Sequence, residues 1–186
     1  MKKLHLLVLL LALLLLAGCG RSAESGAEAV EALDYAVEKA EAHSEFLSNL
    51  GEGRIVSLLC GAPAVGEVRK TLFFTQDGGE SWSGGIDVSE GIENYPVGAV
   101  FLSEEKGFVL TDYHGSDNHL FATADGGQSW ESITLPFSAA SFRYVEGREI
   151  RYESGTIYLS LVGRTADGIT YLRYRSDDDG QSWRDY

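Results

Sequence analysis

The chain has 186 residues, 44% of them hydrophobic, with 28 acidic and 15 basic side chains and a formal charge of −13 at pH 7. That length accommodates one or two modest domains. Setting aside Lys2 and Lys3, the charge from Cys19 onward is about −15; such an acidic exterior repels nucleic acid and anionic lipid headgroups and leaves protein or neutral glycan as partner classes.

In chain order, Met1-Lys2-Lys3 gives a positive start, Leu6 to Ala17 is an unbroken apolar run, and small residues follow at Ala17-Gly18. This is the layout of a secretory signal over residues 1–18. The run is too short to cross a bilayer, which takes about 20 apolar residues. The tetrapeptide Leu16-Ala17-Gly18-Cys19 resembles the bacterial lipobox. The resemblance implies a bacterial lipoprotein, exported, cut before Cys19 and held to the cell membrane by diacylglycerol on that thiol, with the leaflet left open. Each buried methylene contributes about 0.8 kcal/mol, so two or three acyl chains anchor almost permanently. The other cysteine, Cys60, ends the apolar run from Ile55 and reads as a small buried hydrophobe.

Residues 19–26 are small and polar and read as a tether. From Ala27 to Leu50, Val30, Leu33, Val37, Ala40, Leu47 and Leu50 recur near helical spacing, with Gly51 as a stop. The spacing predicts one amphipathic helix over 27–51, capped at Ser25 or Gly26, its apolar stripe packed on the domain that follows.

Beyond Gly53 the texture becomes short alternating runs of β-branched and aromatic residues between Gly, Asp and Ser, predicting an all-β region over 54–186. Self-comparison finds Thr75-Gln-Asp77-Gly-Gly79-Glu-Ser-Trp82, Thr123-Ala-Asp125-Gly-Gly127-Gln-Ser-Trp130 and Ser176-Asp-Asp178-Asp-Gly180-Gln-Ser-Trp183. All fit [Ser/Thr]-x-Asp-x-Gly-x-x-Trp, and they start 48 and 53 residues apart, close to the period of one propeller blade. Glycines at Gly79, Gly127 and Gly180 supply positive φ without steric cost. The carboxylates of Asp77, Asp125 and Asp178 can accept from their own turns, and Trp82, Trp130 and Trp183 are expected against neighbouring strands.

The pattern resembles the Asp-box, or BNR repeat, of β-propellers such as sialidases, sortilin-type receptor domains and photosystem II assembly factors. The resemblance implies a partial β-propeller of about three four-stranded antiparallel blades preceded by the single helix. The boxes would join the third and fourth strands of each blade at the periphery, as structural elements. Expected strands are Arg54–Cys60, Val68–Thr75 and Ser81–Val88, the innermost strand of that blade being missing or replaced by the helix. Next come Gly98–Ser103, Gly107–Tyr113, His119–Ala124 and Ser129–Leu135, then Glu149–Glu153, Thr156–Arg164, Ile169–Ser176 and Ser182–Tyr186.

A sialidase requires an arginine triad, a Tyr–Glu nucleophile pair and an acid Asp; Arg54-Ile55-Val56 lacks the proline of that family's Arg-Ile-Pro motif. Alternation along strands explains most of Arg69, Arg143, Arg148, Arg151, Arg164, Arg173 and Arg175 as solvent-facing partners of acidic residues. No phosphate loop, nucleophile elbow or HExxH helix occurs, so no reaction class has its groups. No cofactor and no metal are expected: His114, Asp117 and His119 lack a fourth ligand, and Asp177-Asp178-Asp179 lacks spaced oxygen ligands. Tyr95, Tyr113 and Phe137 read either as a recognition patch or as filling between blades. The function expected is non-catalytic recognition or scaffolding, with a glycan-binding or sialidase-like relic as the alternative. The partner is a protein, or a second copy joined at open blade edges.

Overall fold

The alternating runs pair as antiparallel ladders in a computed structural model of the chain, which describes residues 34–63, 68–112 and 119–186. The signal, Cys19, the tether, the predicted helix up to residue 33, and Tyr113, His114 and Asp117 lie outside the described residues.

A short helix, α1 (Tyr35–Glu41), precedes strands β1 (Ser44–Gly51), β2 (Arg54–Cys60), β3 (Lys70–Thr75) and β4 (Ile86–Asp87). Next come β5 (Tyr95–Phe101), β6 (Gly107–Asp112), β7 (Leu120–Thr123) and β8 (Glu131–Ile133). The last group is β9 (Tyr144–Glu153), β10 (Thr156–Arg164), β11 (Ile169–Ser176) and β12 (Arg184–Asp185). They form three four-stranded antiparallel sheets in the orders β1-β2-β3-β4, β5-β6-β7-β8 and β9-β10-β11-β12, each an up-and-down meander. The all-β expectation holds.

The long helix is corrected. Asp34 is extended and caps α1 through its Oδ1, which accepts from Ala36 N at 2.8 Å. The last third of the predicted helix is strand β1, paired along its length with β2 as in Phe46↔Leu58 and Ser48↔Val56. Residues 51–53 all have positive φ and form the hairpin turn that a helical reading took for a stop. Hairpin pairing overrode the helical spacing of Leu47 and Leu50, because β2 has backbone groups to satisfy on both edges. The first sheet thereby has its own first strand, neither missing nor replaced by the helix. The stripe is corrected too: Tyr35 and Glu38 face the first sheet, and Val37 and Ala40 are exposed.

Two apolar clusters hold the sheets together. Val56, Leu58 and Leu72 of the first sheet meet Phe101, Val109 and Phe121 of the second. On its opposite face the second sheet turns Val100, Phe108, Leu110 and Leu120 toward Ile157, Leu159 and Leu161 of the third. The middle sheet is therefore buried on both faces, which is why β6 reads as a continuous apolar run. Each fully buried Leu or Ile contributes about 1.5–3 kcal/mol.

Two first strands begin earlier than expected. Pro96 is accommodated in β5 because that strand is a sheet edge and bulges between Pro96 and Gly98. Gly147 reads as a break but lies inside β9, where a Cβ would come within 2.5 Å of the Thr111 carbonyl oxygen, so only glycine permits that approach. The fourth strands are two or three residues long, since the chain leaves each repeat turn with its tryptophan directed inward before pairing resumes.

Candidate functional site

Each repeat motif sits between the third and fourth strands of its sheet, and one hydrogen-bond pattern occurs three times. Thr75 Oγ1 donates to Asp77 Oδ1 at 2.7 Å and accepts from Gly79 N at 3.1 Å. Ser81 N donates to Asp77 Oδ1 at 2.9 Å, and Ser81 Oγ to Oδ2. In the second turn Thr123 Oγ1 donates to Asp125 at 2.8 Å, while Gly127 N donates to Thr123 Oγ1 and Ser129 N to Asp125, each at 2.9 Å. In the third, Ser176 Oγ donates to Asp178 at 2.7 Å, Gly180 N to Ser176 Oγ at 2.8 Å, and Ser182 N to Asp178 at 2.9 Å.

Each carboxylate thus accepts from a hydroxyl before it and from a hydroxyl and an amide after it, and those donors stabilise its ionised form. The Asp125 carboxyl is held down to about 2, first by the Ser129 hydroxyl, and Asp178 to about 2, first by the Ser182 hydroxyl. Asp77 lies still further below the usual carboxylate range, through Ser81 above all. The backbone takes two consecutive positive φ values, at Gly78 and Gly79, at Gly126 and Gly127, and at Asp179 and Gly180. The third turn thus seats an aspartate where the other two have glycine.

The serine before each tryptophan was hidden in a variable place of the motif, although it is Ser in all three copies; that identity was the available signal. The opening Thr or Ser proves to be the hub of the turn.

The tryptophans and turn glycines bind each sheet to what precedes it. Trp130 lies over Gly91, where a Cβ would come within 2.5 Å of its Cδ1, and packs on the cluster shared by the first and second sheets. Its Nε1 donates to Gly127 O at 3.2 Å. A Cβ on Gly127 would lie 2.6 Å from Leu72 of the preceding sheet. Trp183 meets Phe108 of the second sheet edge-on at 6.2 Å, and a Cβ on Gly180 would strike the same ring. Among the described residues no sheet precedes that of Trp82, which stacks at 3.9 Å on Tyr35 of α1. The Tyr35 hydroxyl donates to Glu45, which also pairs with Lys39 at 2.9 Å.

The remaining candidates are dispersed. Arg54 is at the start of β2 beside Glu52, whereas Arg148, Arg151, Arg164 and Arg175 pair with Glu146, Glu153, Glu146 and Asp177 of the third sheet region. His119 is fully buried with Nδ1 3.3 Å from Thr111 O. Among the described residues no group of three or more His, Cys, Asp or Glu could hold a metal ion. Tyr95 bonds the Ser44 hydroxyl at 3.2 Å, and Phe137 packs between Phe142 and Tyr174, so both fill space between sheets. Cys60 is a buried free thiol that burial pushes up to about 11.

Sequence reasoning missed Lys70, which is fully buried and donates from Nζ to Val68 O at 3.0 Å. The signal was its alternation with Leu72 and Phe74 on one strand face. No helix among the described residues is long and apolar enough to cross a membrane. No protein-family model matches this chain, and comparison with curated proteins finds no match.

Proposed function

We propose that this chain is a bacterial envelope lipoprotein, anchored through lipid on Cys19, which displays a non-catalytic recognition or scaffolding module related to the Asp-box β-propellers. The observation that carries the reading is the threefold turn. Its three aspartates, the most regularly placed acids of the chain, are occupied by their own Ser and Thr hydroxyls and held ionised. A carboxyl used in this way braces a turn and does not serve as a proton donor near neutral pH. The kinship with propeller blades is supported by the meander order of each sheet and by the contact of the first strands, β1 with β5 and β5 with β9, as innermost strands meet around a propeller axis. The anchor rests on the lipobox-like Leu16-Ala17-Gly18-Cys19 after a short apolar run.

Metabolic labelling with a palmitate analogue tests the anchor. The wild-type chain takes the label and Cys19→Ala does not; equal labelling of both removes the anchor from this reading.

A further inference from the structure

The two ends of the sheet stack differ in a way that its interior does not. Toward the following sheet, β2 carries Val56, Leu58 and Cys60, and β6 carries Phe108 and Leu110. Those surfaces receive the next repeat: Leu72, on the same face as Leu58, lies under Gly127, and Phe108 lies under Gly180 and Trp183. On β10, Ile157, Leu159 and Leu161 face the second sheet, so alternation turns Tyr158, Ser160, the buried Val162 and Arg164 outward. The neighbouring β11 adds Ile169, Tyr171, Arg173 and Arg175, opposite those residues in the ladder. This outer face carries tyrosine and arginine together with Glu146 and Glu149 of β9, which lie opposite Val162 and Ser160, and no repeat turn packs on it.

Residues 143–186 hold seven of the chain's 15 basic residues, all arginine, against eight acidic ones, and five of the arginines are ion-paired. Arg173 makes no ion pair among the described residues, and its guanidinium lies 5.9 Å from the centre of the Tyr171 ring. The opposite end is closed by α1, whose outward surface is Ala36, Val37 and Ala40 between the exposed acids Asp34 and Glu41, with the exposed Lys39 paired to Glu45. The large exposed hydrophobics among the described residues are Val37, Leu47, Tyr152, Ile169, Tyr171 and Tyr186, the first two at the helix end and the other four on the third sheet. Val37 is 58% and Tyr171 63% exposed.

We propose that these two ends bind one another in successive copies of the chain, head to tail. The small apolar strip of α1 with its flanking acids docks on the Tyr171 and Ile169 surface, and Arg173 meets Asp34 and Glu41. Arginine and tyrosine are the side chains favoured at the centres of such interfaces. Because the two patches differ, the contact is heterologous and propagates as an open series unless its rotation closes a ring. Being charged and solvent-rimmed, it weakens as salt screens the ion pairs. The inference needs only the two ends and stands apart from the anchoring reading.

Sedimentation velocity on the full chain in a density-matched non-ionic detergent tests it, at two ionic strengths and over a hundredfold range of concentration. The wild type is expected as a concentration-dependent series that collapses toward monomer in 0.5 M salt. A tail variant, Tyr171→Ser with Arg173→Ala, and a head variant, Val37→Lys with Glu41→Lys, each stay monomeric alone, and an equimolar mixture gives a one-to-one dimer that grows no further. All four positions are exposed, and unchanged melting of the variants shows that the fold is kept. A wild type that is monomeric throughout, or variants that associate as the wild type does, overturns the proposal.

Discussion

At the scale of single residues the repeat turns are acid–base devices with a defined sign. The carboxyls of Asp125 and Asp178 titrate at about 2 in the folded chain, against about 3.9 in an unfolded one. A depressed folded value means that their contribution to stability is fully present above pH 4 and is lost as pH falls toward 2. Urea midpoints measured from pH 6 to pH 2 should therefore fall steeply below pH 4 in the wild type. The double variant Asp125→Asn and Asp178→Asn should give a shallower fall, and equal slopes would show that the carboxylates are not braced as described. The third turn supplies a second residue-scale expectation. Asp179 has φ of 55° where the equivalent positions are Gly78 and Gly126, and the left-handed region costs an L-residue about 1–2 kcal/mol. Asp179→Gly is expected to stabilise the chain by up to about 1 kcal/mol, part of the relief being offset by the freer unfolded chain. A loss of stability on thermal melting would contradict this.

At the scale of elements, the same glycine seat is used in two ways. Gly79, Gly127 and Gly180 all have positive φ, but only the latter two press on a preceding sheet. Gly79→Ala should cost only the backbone strain, about 1–2 kcal/mol. Gly180→Ala adds a clash with the buried Phe108 ring and should cost about 1–3 kcal/mol more; equal losses in urea unfolding would mean that the third turn is not seated on the second sheet. Much of the strand layout was legible because period-two alternation and turn residues are local signals: β2, β10 and β11 fall where the pattern puts them. Strand β1 was not legible. Ser44–Gly51 carries Leu47 and Leu50 at helical spacing, in continuity with the Ala- and Glu-rich residues before it, and that spacing masked its pairing with β2 across the Glu52-Gly53 turn. The short fourth strands were overestimated for a related reason, since the inward path of each tryptophan is set by the preceding sheet.

At the scale of the whole molecule, the second and third repeat turns each fasten their sheet to the one before, and among the described residues α1 and Tyr35 meet the first turn in place of a sheet. The three turns were legible in the sequence as repeats, but the direction in which their tryptophans point was not, because that is a relation between sheets far apart in the chain. The polar outer face of the third sheet was likewise hidden, since Tyr171 and Arg173 alternate along β11 as ordinary strand residues do. The central claim is that the repeat turns serve to hold the molecule together. Trp130 is the sharpest probe, as it packs on Gly91 and on the core shared by two sheets. Because it is only partly buried, the loss on truncation should lie near the low end of the range for buried aromatics, about 3 kcal/mol. Urea unfolding of wild type and Trp130→Ala, followed by circular dichroism, measures it directly. A lowered midpoint corresponding to about 3 kcal/mol is predicted, whereas a change below about 0.5 kcal/mol, as for an ordinary surface position, would contradict the account and assign Trp130 to a binding surface instead.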